Sequence, residues 1–357
     1  MHPFEINRRL YETYENLEEV KHYYGILAIY GLARTAVESE DEQLKQKVRA
    51  ILNRFPDQID HPTYNFPSYR IGGIARAYAN LSGLMPESAA LVREYADELM
   101  TAPRDPDGIV KNPHRPAENL VWIDCAMAAC CYLAIAGKTF NHPAYFNEGI
   151  QQGLKMYNLF RDPDNGLLHQ AKNFNGPGRL SEDHWSRGNG WGFIALTELL
   201  HYLPVDFPGR SDVVDAFRRH AVAMLPFQTR RGMWRQEIPL QYSYEESSGT
   251  ALILYGYGIG LRLGLLEPFY FRPAFEKGIR GLLSVAINPD FSTENSCPGC
   301  LCPGEGDEKG TVKAYVTLKL PYRNEHHSFG PIMLALVEAY KNGMTDLPAP
   351  GRNPGIQ

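Results

Sequence analysis

Apolar residues recur at helical spacing along nearly the whole chain, and two kinds of segment alternate. Segments 22–37, 71–84, 120–137, 191–202, 248–263 and 329–340 are apolar on most sides. Segments 41–55, 87–100, 144–159, 212–227 and 270–287 are more polar and amphipathic. With a first helix over 4–15, the pattern predicts about twelve helices, or six pairs. A helix that is apolar all round belongs inside other helices, and a striped one belongs outside with its stripe turned inward. Three turn signals, Asp107-Gly108, Asn165-Gly166 and Arg231-Gly232, stand 58 and 66 residues apart, and each leads toward an apolar helix. A helical hairpin repeated at that interval predicts an all-α fold, an (α/α)6 barrel of six inner helices ringed by six outer ones. One stretch departs from the helical period. Residues 312–320 alternate apolar and polar positions after a Gly/Pro-rich loop, which predicts a short β-hairpin at the barrel mouth near the C-terminus. No stretch has the composition of a linker, so residues 1–345 read as a single (α/α)6 domain and 346–357 as a C-terminal tail.

Charge and composition remove several classes of function. The net charge of -5, with no Lys/Arg cluster interleaved with aromatics, predicts no nucleic-acid partner. No apolar run reaches membrane-spanning length, and residues 1–9 lack the basic and apolar regions of a secretory signal. A cytoplasmic protein with no membrane partner is the expectation; oligomeric state leaves no mark in the sequence. The six cysteines fall in an apolar helical stretch (Cys125, Cys130, Cys131) and a Pro/Gly-rich loop (Cys297, Cys300, Cys302), with no clean disulfide arithmetic. The loop trio has spacing that would serve zinc together with His326 or His327, but no second Cys-x-x-Cys is present. The thiols are therefore read as free, and no metal is expected.

Residues Asp183 to Trp191 hold the most concentrated chemistry. Two indoles (Trp185, Trp191), a guanidinium (Arg187) and two glycines stand just before an apolar helix. An indole offers a flat face to a sugar ring, a guanidinium can grip a carboxylate through two parallel hydrogen bonds, and glycine lets backbone approach a ligand. Plugging the top of a helical barrel is the plainer reading of the same tryptophans. Asp124 is a lone carboxylate at the start of an apolar helix, where desolvation would raise its pKa toward the range of a general acid; an N-cap role competes. His114 and His169 follow corresponding turns of the repeat, so both belong on the rim that carries Asp124. Ser247 and Ser248 open another apolar helix and suit sugar hydroxyls or a carboxylate, though capping would also explain them. Of the adjacent pair His326 and His327, at most one can face the cavity.

Taken in order, Val121 to Asp124, Gly166 to His169, Trp185 to Trp191, Glu246 to Ala251 and His327 to Pro331 resemble the unsaturated rhamnogalacturonyl hydrolases of glycoside hydrolase family 105, related to the unsaturated glucuronyl hydrolases of family 88. The resemblance implies an (α/α)6 barrel that removes a 4,5-unsaturated uronic acid from the non-reducing end of lyase-generated oligosaccharides. It implies vinyl-ether hydration without metal or organic cofactor, with Asp124 protonating C4 and then helping water to add at C5. It further implies that Arg187 grips the uronate carboxylate, Trp185 and Trp191 flank the ring, and His114 and His169 bind hydroxyls or position water. Such enzymes usually carry a second aspartate before an earlier inner helix. Here residues 65–73 hold no carboxylate, and Asp183, Glu182, Glu245 and Glu325 are the candidates to replace it. Two other functions fit these residues: hydrolysis of a saturated uronide or other glycoside across a carboxyl pair, and non-catalytic binding of a sugar acid.

Overall fold

Helices form wherever the helical period runs, and burial decides which of them lie inside. The computed structural model describes residues 1–17, 22–55, 66–111 and 117–351. In chain order the helices are α1 (Pro3–Leu17), α2 (Tyr23–Ser39), α3 (Glu42–Arg54), α4 (Gly73–Leu81), α5 (Ala89–Met100), α6 (Asp124–Ala126), α7 (Tyr132–Phe140), α8 (Pro143–Phe160), α9 (Ser186–Tyr202), α10 (Arg210–Met224), α11 (Ser247–Arg262), α12 (Pro268–Gly281), α13 (Val312–Leu318) and α14 (Phe329–Lys341). A π-helical stretch, Met127–Cys131, joins α6 and α7 into one rod.

Helix α2 packs on α4, α4 on α7, the α6–α7 rod on α9, α9 on α11, α11 on α14, and α14 returns to α2, closing a ring. Outside it, α1 lies on α14 and α2, α3 on α2, α5 on α4 and α7, α8 on α7 and α9, α10 on α9, and α12 on α11. The (α/α)6 barrel is therefore the fold. The two helix types differ as their patterns require. Helix α11 is buried without a break from Ser247 to Leu261, whereas α3 buries only Leu44, Val48, Ile51 and Leu52. Each such outer-helix side chain contributes about 2 kcal/mol by leaving water. Close approach in the inner ring depends on missing side chains. A Cβ on Gly190 of α9 would lie 2.7 Å from the Leu252 Cβ, and one on Gly249 of α11 would lie 2.5 Å from the Ser186 carbonyl carbon.

The turn repeat is real and has a fourth copy. Gly108, Gly166 and Gly232 all adopt positive φ (78°, 76° and 93°), and each donates its amide back three or four residues, to Asp105, Asp162 and Thr229. Phe291 does the same to Asn288 at φ 62°. A phenylalanine where the other copies have glycine hid this turn from the sequence pattern.

Three expectations need correction. Residues 312–318 form a helix, not a strand of a hairpin: Thr311 caps it through the Ala314 amide at 3.2 Å, and adjacent Ala314 and Tyr315 are both buried. A strand would have sent those two side chains to opposite faces. The short strands lie elsewhere, as antiparallel pairs of β1 (Val121–Trp122) with β2 (Ala171–Lys172) and β3 (Trp234–Arg235) with β4 (Glu245–Glu246). Second, α9 begins at Ser186, so Arg187 to Gly190 are its first turns and not a loop. Third, α4 starts later than its apolar pattern, because Ile71, Gly72 and Gly73 all take positive φ. The segment set apart as a tail packs back on the body through residue 351, with Leu347 buried and its amide on the Met1 carbonyl at 2.9 Å. No described helix is long and apolar enough to cross a membrane.

Candidate active site

All six inner helices begin at one end of the ring, at Tyr23, Gly73, Asp124, Ser186, Ser247 and Phe329. Their aligned dipoles make that mouth favourable to negative charge, and at α11 the protein's own Glu246 already takes two of the first amides. Polar groups at the other end pair among themselves, as Arg34 with Glu338 at 3.0 Å and Tyr255 with Glu198 at 2.5 Å.

Asp124 stands on the first turn of α6. It is not the cap, a position held by Ile123. The β1–β2 pairing brings it beside Gln170, since the Ile123 amide donates to the Gln170 carbonyl at 2.8 Å. One carboxyl oxygen, Oδ2, is buried with no hydrogen-bond partner. Burial pushes the Asp124 carboxyl up to about 7, against the lowering effects of Arg187 and the Gln170 side chain, and with a further push from Asp183. Gln170 is itself fully buried and fixed: its Nε2 donates to the Cys300 carbonyl at 2.6 Å, and its Oε1 accepts from the Cys302 amide at 3.0 Å and the Tyr315 hydroxyl at 2.5 Å. Burial of Tyr315 on α13 thus reaches Asp124 through one amide.

Arg187 is 1 % exposed. Its guanidinium lies over the Trp185 ring, 4.4 Å from the centroid. Nη1 donates to Ser248 Oγ at 3.0 Å and to the Cys297 carbonyl, and Nη2 to the Pro298 carbonyl at 2.9 Å. Three of the five guanidinium N–H donors are thus taken by protein, while Nε has no partner. Glu246 caps α11 and ties this wall together, taking the Ser248 and Gly249 amides, both the Ser186 and Ser248 hydroxyls, and the Cys297 amide. The cap is thus a glutamate one residue before the serines expected to serve. Ser248 is consumed by Arg187 and Glu246, while Ser247 Oγ is buried without a partner.

A third group spans the gap between α14 and α2. His327 Nδ1 lies 2.6 Å from Glu325 Oε1, and its Nε2 meets the Tyr23 hydroxyl. Burial would raise the Glu325 carboxyl, but His327 and then Arg187 outweigh it and hold it down at about 2. His326 instead packs on Tyr24 and Tyr14, so one histidine of the pair faces inward, as their adjacency requires.

His114 lies outside the described residues. His169 does not point where the repeat suggested. Alternation in the residues leading into β2 puts Gln170 on the Asp124 side, and His169 turns toward His184, with Nδ1 3.1 Å from the Asp183 carbonyl oxygen. Trp185 and Trp191 are each 1 % exposed, so neither offers an open face, and each indole N–H is buried without a partner. Asn189 clamps Leu168, accepting from its amide at 2.8 Å and donating to its carbonyl at 3.0 Å. Among the four replacement acids, Asp183 alone bears on Asp124; it is fully buried, and its two oxygens accept from the Gln170 and Trp185 amides. Glu182 is exposed, Glu245 pairs with Arg231, and Glu325 belongs to His327. The place before α4 is filled by Phe66 and Tyr69, Tyr69 stacking on Tyr23 at 5.9 Å. Gln170, Tyr23 and Glu246 were missed as site residues. The neighbour rule for strands would have found Gln170 had the pairing of Trp122 with Ala171 been visible in the sequence.

Residues 5–343 match the family described as Glycosyl Hydrolase Family 88. Among curated proteins, an unsaturated 3S-rhamnoglycuronyl hydrolase of Formosa agariphila is 29% identical over 171 residues, 45% of each chain. One of the same name from Alteromonas sp. is 26% identical over 161 residues, 44% of this chain and 39% of that protein. The chain thus spans less than half the length of these curated relatives. Among solved structures, a family 105 glycoside hydrolase of C. acetobutylicum superposes with a TM-score of 0.79 at 20% identity, covering 94% of this chain and 99% of the other. An unsaturated glucuronyl hydrolase from Bacillus sp. GL1 gives 0.66 at 16% identity, covering 96% of both. These two likenesses establish the six-hairpin fold.

Proposed function

The chain belongs to glycosyl hydrolase family 88, and on that footing we propose that it removes a 4,5-unsaturated uronic acid from the non-reducing end of an oligosaccharide by hydrating the vinyl ether. The observation that carries this reading is the Asp124 carboxyl, with one oxygen buried and unpartnered and its pKa pushed up to about 7. A group poised there gives up a proton and takes one back near neutral pH at small cost. Asp124 protonates C4, leaving the positive charge on C5 shared with the ring oxygen. Water then adds at C5 and returns its proton to Asp124, and the resulting hemiketal opens to expel the remaining sugar. One carboxyl performs both transfers, which accounts for residues 65–73 holding no carboxylate.

Arg187 and the inner-helix N-termini other than that of α11, which Glu246 caps, supply the positive field for the uronate carboxylate. Nη1 is filled by protein while Nε has no partner, so we assign Arg187 as a charge fixed by the protein that can still offer Nε and the second Nη2 hydrogen to the carboxylate. Trp185 carries that charge on its ring face, and Trp191 and Ser247 keep unpaired donors in the same wall. His327 and Tyr23 face the sugar from the α14 side, Ser248 holds Arg187, and His114 and His169 stay as rim candidates for the sugar beyond the uronate. From the names of its relatives we infer that this next sugar is a rhamnose.

The test is to follow the loss of the conjugated alkene's ultraviolet absorbance on unsaturated rhamnoglycuronyl and glycosaminoglycan disaccharides, with wild type and Asp124→Asn. Decay that needs Asp124 supports hydration, and the faster disaccharide names the second sugar. Silence on both, with release of sugar from saturated uronides, would replace this reading by ordinary glycoside hydrolysis.

A further inference from the structure

A second polar cluster lies beside the mouth and shares only the rim candidate His169 with the site proposed above. Asp162, His169 and His184 each place one ligating atom within 4.8 Å of the others. They come from two segments that the repeat turn brings together, the turn closed by the Gly166 amide on the Asp162 carbonyl and the lead into α9. We propose that these three side chains form a site for a divalent transition-metal ion of the zinc class, serving to fasten the turn to the start of α9.

The donor set suits such an ion: two imidazoles and one carboxylate, the combination that borderline cations prefer over all-oxygen sites. The outer contacts are also those of a ligand set. His169 Nδ1 faces the Asp183 carbonyl oxygen at 3.1 Å, so that nitrogen carries the proton and Nε2 keeps its lone pair. The Nε2 of His184 lies 2.9 Å from Asp162 Oδ2 and 3.2 Å from Asn165 Nδ2, while its Nδ1, 3.8 Å from Glu237 Oε1, makes no hydrogen bond to that carboxylate. Metal-bound histidines are oriented as His169 is, by a carbonyl or carboxylate on the far ring nitrogen. Asp162 is held in turn by the Asp164 amide at 2.8 Å and the Asn165 side chain at 3.0 Å. The His184 and Asp162 side chains are 13% and 16% exposed, which leaves an ion a way in and room for water in its remaining positions. Because His169 is bonded to the Asp183 backbone, an ion here would stiffen the segment that also supports Asp124.

Zinc or cobalt(II) chloride titrated into chelator-stripped full-length protein tests this without any turnover assay. One equivalent is expected by calorimetry, with a melting temperature that rises with zinc concentration. Cobalt(II) should give visible bands far stronger than those of the hydrated ion. His184→Gln and Asp162→Asn should each weaken binding at least about tenfold, while His2→Ala, at an exposed surface histidine, should leave it unchanged. Zinc should shield His169 and His184, but not His2, from chemical modification read by mass spectrometry, a result that needs no variant to fold. No uptake by wild type, or uptake that neither shields these histidines nor responds to the two substitutions, would overturn the site.

Discussion

Asp124 and Glu246 stand in corresponding places, each just after or at the end of a two-residue strand and at the start of an inner helix, yet they meet opposite surroundings. Glu246 receives five hydrogen bonds from three segments. Asp124 has an oxygen with none, and burial dominates its ionisation. A buried carboxyl that is fully satisfied fastens structure, because its removal strands several donors at once. One left partly unsatisfied is held near its proton-transfer point. What separates the two is the supply of donors around each helix start, not the residue type.

The comparison is sharpest under substitution. Asp124→Asn keeps shape and removes the proposed proton source, so turnover should fall about a thousandfold, the size of a general-acid contribution. Its folded-state pKa is raised, so the stability it contributes is present below the ordinary carboxyl range and lost as pH rises through about 7. The asparagine variant should therefore melt at the same or a higher temperature at pH above about 7; a clear loss of stability there would mean that Asp124 is structural like Glu246. Glu246→Gln should show the reverse. Replacing an acceptor oxygen by an amide group opposes donors with donors, and a loss of about 3 kcal/mol in denaturant unfolding is expected; an unchanged midpoint would break the contrast.

Arg187→Gln sharpens the electrostatic side. Activity should depend on protonated Asp124 and fall as pH climbs through about 7. Arg187 lowers that carboxyl, so the variant's alkaline limb in a pH–rate profile should move to higher pH; a limb that stays in place would show that another group titrates. The smallest effect is expected from Tyr23→Phe, which removes the hydroxyl from His327 and leaves the Glu325 contact. A rise of a few-fold in KM with kcat nearly unchanged would place Tyr23 in binding, whereas an equal fall in kcat would draw the His327 group into the proton-transfer step.

The family resemblance was legible because its motifs sit at helix starts, where several chemically distinctive residues lie close in sequence. Trp185 to Trp191 is such a run, and the ring it helps to close was visible in the alternation of apolar and striped helices. Gln170 was not legible. Its role depends on the pairing of β1 with β2, two-residue strands whose register no local pattern specifies. Tyr315 misled for a related reason: Val312 to Leu320 alternates like a strand, but Thr311 capping and the inward burial of Ala314 and Tyr315 favour a helix.

The sequence by itself determined the barrel, since hydrophobic period and breadth dictate which helices can be inside, and it marked Asp124 as a carboxyl in apolar company. Only the tertiary structure decided which buried polar groups are free to act. Hydrogen-bond supply comes from segments far apart in the chain, such as Cys297 against Glu246 and Arg187 and Tyr315 against Gln170. Whether a carboxyl is saturated or left wanting a partner depends on those meetings, which exist once the ring has closed.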